Sequence, residues 1–193
     1  MRFSDGKVRC SWIKDNPLYL KYHDEEWGVP VYDDNKLFEY LVLESAEAGL
    51  NWLVILNKRE NYRKAYCNFD PEVVASFKED KVAELLNDAG IVRSRAKIES
   101  SINNAKKVLE IQKEYGSFSK YIWGFVENKP IINDWESTEE VPDETPMSLK
   151  ITKDMKRRGF KFIGSRIIYA FMQAVGIVND HPKYCMRHYA VSK

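Results

Sequence analysis

The sequence predicts an all-α fold of roughly eight short helices, and three observations lead to it. Apolar residues recur at three- and four-residue spacing almost everywhere from Asp33 onward. The periodic runs are punctuated by capping residues at their starts and glycines at their ends, the signals that begin and stop helices. No stretch alternates well enough to read as a strand, and there is no internal repeat or low-complexity tract.

In chain order, Asp33 or Asp34 caps a helix carrying Leu37, Phe38, Leu41 and Ala48, and Gly49 interrupts it before a second amphipathic run over 51–66. Asp70, followed by Pro71 and Glu72, is a cap with proline at the first helical position and opens a short helix. Residues 79–88 make another, ending at Gly90. The long helix over 94–115 places Ile98, Ile102, Ala105, Val108, Leu109 and Gln112 on one stripe and stops at Gly116. The acidic, proline-bearing stretch NDWESTEEVPDETPM at 133–147 reads as a loop. A helix over 148–158, the turn GFKFIG at 159–164 and a helix over 165–175 stopped by Gly176 form a helix–hairpin–helix over 148–176.

At 193 residues the chain suits one compact domain, 1–193, with a core that needs no staples. Hydrophobic residues at 44% and charged residues at 31% exclude a disordered or collagen-like chain. No apolar run approaches the roughly 18 residues of a membrane span, and the start MRFSDGKVRC is too polar for a secretory signal. A cytoplasmic protein with no membrane partner is expected. Three cysteines argue against a disulfide framework and leave reduced thiols or metal ligation. The net charge of +1 hides a polarity: from Thr145 onward ten Lys/Arg stand against Asp154 and Asp180, a net of +8, so residues 1–144 carry −7. That asymmetry fits either a phosphate-bearing partner or a solvated basic helix face.

Cys10 and His23 have 12 residues between them, His181 and Cys185 form an H-x3-C pair, and 157 residues separate the two halves. Two sulfur and two nitrogen donors suit tetrahedral zinc. On spacing alone, the set is either a clasp joining 10–23 to 181–185 or a chance pairing. Four protein ligands close the ion and make it structural, whereas a catalytic zinc keeps a position open for water. His188 is a spare candidate ligand, and Cys67 reads as a small buried or half-buried residue.

Glu44 falls on the same stripe as Leu37, Leu41 and Ala48. An ionised carboxylate there is costly unless paired or used, so Glu44 is either a rim residue or a functional one. Trp12, Tyr19, Tyr22, Trp27 and Trp52 crowd the same N-terminal third. Some of them must simply pack, yet aromatic faces around a carboxylate also suit a planar cationic ring. In the hairpin, Gly159 and Gly164 allow close backbone approach and the amides opening the next helix face outward toward an anion. Arg158, Lys161, Ser165 and Arg166 surround that turn as candidate contacts to a nucleic-acid backbone. A second turn, DAGIVRSRAK at 88–97, has the same flavour with one glycine.

The succession RCSW, DNPLYLKYHDEEWGVP, LFEYLVLESAEAGLNW, KRENYR, DAGIVRSRAKI, RRGFKFIGSRIIYAFMQAVGIVNDH and the final H-x3-C resembles the 3-methyladenine DNA glycosylase I family of the helix–hairpin–helix superfamily, over 10–185. The resemblance implies structural zinc on Cys10, His23, His181 and Cys185, and hydrolysis of the N-glycosidic bond of 3-methyladenine in alkylated double-stranded DNA. It implies that Glu44 hydrogen-bonds the extruded base in the catalytic pocket. Tyr22 and Trp52 would be the walls on which the base stacks, with Trp12, Tyr19 and Trp27 completing the pocket. N3 methylation already makes the base a good leaving group, so flipping, recognition and transition-state stabilisation remain for the enzyme. In VNDH, Asp180 is expected to orient the ligand histidine rather than activate water. Two positions depart from the family pattern: Glu47, where glutamine is expected, and Asn51, where serine is usual. Glu47 either lies near Glu44, where the two carboxylates raise one pKa, or sits at the rim. A non-catalytic, zinc-stabilised protein that binds damaged DNA is the alternative reading, and a monomer is the default.

Overall fold

The computed structural model describes residues 3–190, so Met1, Arg2 and 191–193 of the expected domain lie outside the described residues. Among the described residues the α-helices are α1 (Pro17–Glu25), α2 (Asp34–Glu47), α3 (Trp52–Ala65), α4 (Pro71–Ala75), α5 (Glu79–Asn87), α6 (Arg95–Tyr115), α7 (Phe118–Gly124), α8 (Pro146–Arg157) and α9 (Ser165–Ala174). Short 3-10 turns at Cys67–Phe69 and Thr138–Glu140 complete the helical set. Two-residue strands β1 (Ile131–Ile132) and β2 (Val178–Asn179) pair in parallel. No helix among the described residues is long and apolar enough to cross a membrane.

The fold is all-α as expected, with nine helices among the described residues against roughly eight expected, seven of which the sequence reading placed. The additional ones are α1 and α7. Helix α1 buries only Tyr22 and His23, so it carries no apolar stripe, and α7 has 7 residues, too few for a period to show. The β1–β2 pair corrects the expectation of no strand, since two residues cannot display alternation. Helix α8 starts two residues early because Thr145 and Ser148 form a reciprocal capping box ahead of Pro146. Cys67 is exposed rather than buried: it opens a run of left-handed backbone angles, φ 50°, 56° and 57° at residues 67–69, that turns the chain out of α3.

Helix α2 is the element the others pack around. Its residues 37–46 are all buried, and it touches α3, α6, α7 and α9. Both ends are fixed by side chains. Asp33 caps it through the Lys36 N–H at 2.8 Å, while Asp34 accepts from the N–H groups of Phe118 and Ser119, each at 2.8 Å, and so caps α7 instead. At the other end the Lys97 ammonium donates to the carbonyls of Ala46 at 2.8 Å and Ala48 at 2.6 Å, satisfying carbonyls a helix C-terminus leaves orphaned.

The chain after α1 runs against the end of α9. Gly28 N–H reaches Gln173 C=O at 3.0 Å and Val31 N–H reaches Val175 C=O at 3.0 Å. The ladder continues from Ile131 to Ile177 at 2.9 Å and from Asn133 to Asn179 at 3.1 Å. These bonds bring the neighbourhood of residue 27 against that of residue 181. Gly176 makes the approach possible: its φ is +71°, and a Cβ there would stand 2.4 Å from both Val29 C and Pro30 N. Gly176→Ala is therefore expected to destabilise by about 3 kcal/mol or more, a fall in Tm of roughly 6–12 °C. Gly6→Ala, with φ +78° and nothing within 4 Å, supplies the purely conformational cost. Equal melting temperatures for the two variants would show that the contact is not limiting.

Candidate functional site

Cys10, His23, His181 and Cys185 are all buried, and their ligand atoms lie within 4.8 Å of one another. His23 Nε2 is 3.3 Å from Cys10 Sγ and 3.4 Å from Cys185 Sγ, and His181 Nδ1 is 3.5 Å and 3.4 Å from the same sulfurs. An ion bonded tetrahedrally at roughly 2.3 Å to sulfur and 2.0–2.1 Å to nitrogen sets sulfur and nitrogen about 3.5 Å apart, so the donors stand at ligand spacing. Their outer nitrogens are also fixed. His23 Nδ1 meets Asp24 Oδ1 at 2.8 Å, and His181 Nε2 meets the Trp27 carbonyl at 3.1 Å. Asp24 in turn receives buried Arg9 through Nε at 2.8 Å and Nη2 at 2.6 Å. Such outer partners orient metal-binding imidazoles. The neighbouring Cys185 sulfur and burial push the Cys10 thiol up, while the Cys10 sulfur and the two imidazoles pull Cys185 down. Two sulfurs and two supported imidazoles at this spacing fit a four-coordinate ion. His188 is not part of the set: its Nδ1 donates to the His181 carbonyl at 2.7 Å and its Nε2 faces Asp134 at 3.3 Å.

A cavity of about 430 Å³ opens next to this cluster, bounded by α1, α2, the start of α3, α9 and the loop around 138–143. Aromatic rings connect the two. Trp27 stands edge-on to His181 at 4.5 Å, Trp12 to Trp27 at 5.0 Å, and Tyr19 tilts against Trp12 at 5.5 Å. Tyr22 and Trp52 touch at 5.3 Å with 50° between their planes. Glu44 is 5% exposed and lines this cavity, and its carboxylate has no hydrogen-bond partner among the described residues. Burial pushes it well above the usual carboxylate range, the Glu47 carboxylate adds to the shift, and Arg59 opposes it. Glu47, half-buried at the end of α2, is raised by its own burial against the pull of Lys97.

The turn between α8 and α9 borders the same cavity through Arg166. Helix α8 closes with Phe160 N–H on Met155 C=O at 3.1 Å and Gly159 N–H on Lys156 C=O at 2.9 Å, a Schellman pattern that needs the φ of +91° at Gly159. Asn104 of α6 accepts from Lys161 N–H at 2.8 Å and donates to Lys161 C=O at 2.9 Å, and Asn103 donates to Gly159 C=O at 2.9 Å. Helix α9 begins at Gly164 with no capping side chain. Two carboxylates of the preceding loop lie over its first turn: Ser165 donates to Glu144, and Arg166 faces Asp143 at 3.4 Å.

A family model described as methyladenine glycosylase matches residues 12–188. The chain belongs to the methyladenine glycosylase family. DNA-3-methyladenine glycosylase 1 of Escherichia coli (strain K12) is 46% identical over 177 residues, which cover 92% of this chain and 95% of that protein. A crystal structure of 3-methyladenine DNA glycosylase I superposes with a TM-score of 0.91 at 46% identity, covering 94% of this chain and 100% of that one. A variant of 3-methyladenine DNA glycosylase I in complex with 3-methyladenine superposes at 0.90 with 38% identity, covering 93% and 97% of the two chains.

In this methyladenine glycosylase, Glu44, Tyr22, Trp52, Trp12, Tyr19 and Trp27 all line one cavity, and the four expected ligands meet in one cluster. Gly159, Lys161 and Gly164 lie in the turn between α8 and α9, and Ser165 and Arg166 open α9. Arg158 does not face outward with them. Its guanidinium donates to Asp154 at 2.8 Å, Glu114 at 2.7 Å and the Tyr115 hydroxyl at 2.6 Å, which ties α8 to the end of α6. Asp180 is also corrected. It makes no bond to the His181 ring, whose outer nitrogen is taken by Trp27; instead it lines the cavity and accepts from Asn133 and Trp135 at 2.7 Å, Tyr169 at 2.5 Å and Gln173 at 2.8 Å. Four donors leave its two oxygens little capacity for a water. Asn51 caps α3 through Val54 N–H at 3.2 Å, the task a serine performs equally well. Glu47 combines both readings, at the rim and close enough to raise Glu44. Sequence reasoning missed Asn104, Tyr169 and Gln173. The available signals were a buried asparagine beside the stripe of α6 and an i, i+4 polar pair on α9.

Because Glu44 is raised in the folded protein, the native state binds more protons than the unfolded chain above the ordinary carboxylate range, and stability falls as pH rises there. Glu44→Gln removes this term. Thermal melts are expected to show the variant more stable than wild type at pH 7, by about 1 kcal/mol, with the gain disappearing toward pH 4. A difference independent of pH would show that the carboxylate is not strained.

Proposed function

We propose that this chain hydrolyses the N-glycosidic bond of 3-methyladenine in alkylated double-stranded DNA, releasing the free base and leaving an abasic site. The observation that carries this reading is the buried, unpartnered Glu44 carboxyl on a cavity walled by aromatic rings. A protonated carboxyl offers one donor and one acceptor on a single group. That pair matches the adenine edge that presents N7 as acceptor and the N6 amino group as donor. Burial favours the neutral form of Glu44, which is the form this pairing requires. Tyr22 and Trp52 supply stacking faces. They touch at 5.3 Å, so a base entering between them parts the rings to about twice the ~3.5 Å contact distance. Trp12, Tyr19 and Trp27 complete the walls.

The positive charge of N3-methyladenine makes the base a ready leaving group, so the chain's residues bind the flipped base, exclude bulk water and hold the sugar while water attacks C1′. Gly159, Lys161, Gly164, Ser165 and Arg166 hold the DNA backbone, with the uncapped amides of α9 facing a phosphate. Arg158 serves the fold instead. The reading includes a monomer acting in the cytoplasm with no membrane partner. A single-turnover incubation with methylated DNA, followed by chromatography of released bases, is expected to yield free 3-methyladenine. Glu44→Ala should lower its rate about 100-fold or more. Binding of methylated DNA without any release would overturn the enzymatic reading in favour of a damage-binding protein.

The cluster would hold zinc through Cys10 Sγ, His23 Nε2, His181 Nδ1 and Cys185 Sγ. Bound there with four protein ligands, zinc supplies structure rather than an activated water. One zinc per chain is expected by elemental analysis, and both chelation and Cys10→Ala should lower Tm by roughly 10 °C or more, with activity lost only as the chain unfolds. Activity lost at full retention of Tm would assign the ion to the chemistry.

A further inference from the structure

The cavity is faced by four acidic residues, Glu44, Glu47, Asp143 and Asp180, and their surroundings assign them different states. Asp180 has both oxygens occupied by four donors. Asp143 faces the Arg166 guanidinium at 3.4 Å. Glu44 and Glu47 share one face of α2 at i, i+3 spacing. Of that pair Glu44 is the deeper, and a proton shared between two neighbouring carboxylates goes to the one that burial penalises more. Glu47, half-buried at the last position of α2, has no hydrogen-bond or ion-pair partner among the described residues. The nearby Lys97 ammonium spends its donors on the carbonyls of Ala46 and Ala48, so it moderates the charge of Glu47 without sealing its lone pairs. A carboxylate with free lone pairs therefore faces a cavity built for a planar ring.

We propose that Glu47 is a second specificity-determining carboxylate of this pocket, one that reads charge where Glu44 reads hydrogen-bonding pattern, so that the pocket selects purines bearing a positive charge in the ring system. The inference rests on the glycosylase reading of the same pocket and deepens it. N3 methylation of a purine nucleotide changes the shape of its base by one methyl group and its charge by a full unit. A methyl group in an apolar pocket discriminates weakly, by about 10- to 200-fold. A fixed anion facing a partly desolvated ring adds a Coulomb term that a neutral purine does not collect. The aromatic walls act in the same direction, since their faces attract cations.

The test compares two ligands of one shape class. 3,9-Dimethyladeninium carries a permanent positive charge, with a methyl group in place of the sugar, and 3-methyladenine at pH 8 is neutral. Both are titrated by calorimetry into wild type and into Glu47→Gln, which preserves size and hydrogen-bonding reach. In the variant the preference for the cation over the neutral base is expected to fall about tenfold, with the affinity for neutral 3-methyladenine unchanged. An unchanged preference, or equal weakening of both ligands, overturns the proposal, the second outcome marking Glu47 as structural. Release of 3-methyladenine from methylated DNA is measured on the same wild-type sample. Release with an unmoved preference removes only the role of Glu47, whereas no release and no binding of either ligand removes the glycosylase reading itself.

Discussion

Everything in the site depends on the meeting of two short segments from opposite ends of the described chain, 10–23 and 181–185. Their four ligand atoms lie within 4.8 Å of one another, a closure that hydrophobic packing alone does not specify, because sulfur and imidazole donors attract one another only weakly without a shared ion. The consequences extend outward from the ligands. Trp27, whose carbonyl accepts from His181 and whose ring stands against it, is also a wall of the cavity. Trp12 stands edge-on to Trp27, and Tyr19 tilts against Trp12. The cluster thus fixes the pocket wall through contiguous ring contacts, and loosening either end of the chain would displace the aromatic faces before it touched the helices that carry Glu44.

Helix α2 shows how one helix gives two carboxylates opposite properties. Glu39 and Glu44 are both about 5% exposed. Burial raises Glu39 too, but Arg59 and Lys36 outweigh it and leave Glu39 below its usual range. Arg59 reaches Glu39 at 2.6 Å and Glu26 at 2.8 Å, and Arg63 adds a contact to Glu39 at 2.9 Å. These cations are committed to the outer side of the helix. Just over one turn further along, Glu44 meets only aromatic rings, Glu47 and the distant field of Arg59. An unpaired buried carboxyl costs stability, and selection for stability alone would replace it. Its presence on the wall of a cavity is the strongest physical sign that it binds something.

Much of this was legible in the sequence because helix period, caps and glycine stops are local signals. The long helices fall within two residues of their predicted bounds, and Glu44 stood out as a polar residue on an apolar stripe. The four members of the Cys/His cluster were also visible, since Cys and His are few and their spacing at each end is compatible with one ion. What escaped depended on partners far away in the chain. Asp34 caps α7 rather than α2 because Phe118 and Ser119 arrive beside it. Asp180 turns away from His181 because Trp27 claims that imidazole and four donors from other segments claim the carboxylate. Arg158 reaches Glu114 and Tyr115 at the end of α6, partners 44 and 43 residues away in the chain.

The same long-range contacts change the meaning of the charge polarity. The +8 of residues 145–193 does not form an open basic face, because part of it is neutralised by carboxylates from the −7 portion of the chain. Arg158 is held by Glu114, Lys183 by Glu136 and Arg166 by Asp143, and Glu144 accepts from Ser165 at the first turn of α9. Under the proposed function, a phosphate meeting the first turn of α9 would compete with the Asp143 and Glu144 carboxylates for Arg166 and Ser165. Exposed ion pairs of this kind contribute little to folding, so their displacement is cheap, yet they offset part of the counterion-driven attraction that non-specific DNA binding relies on. Under that reading, the acidic loop and the hairpin together would hold down affinity for undamaged duplex. A larger share of the binding energy is left to the flipped base, the one part of the substrate that distinguishes damage from its surroundings.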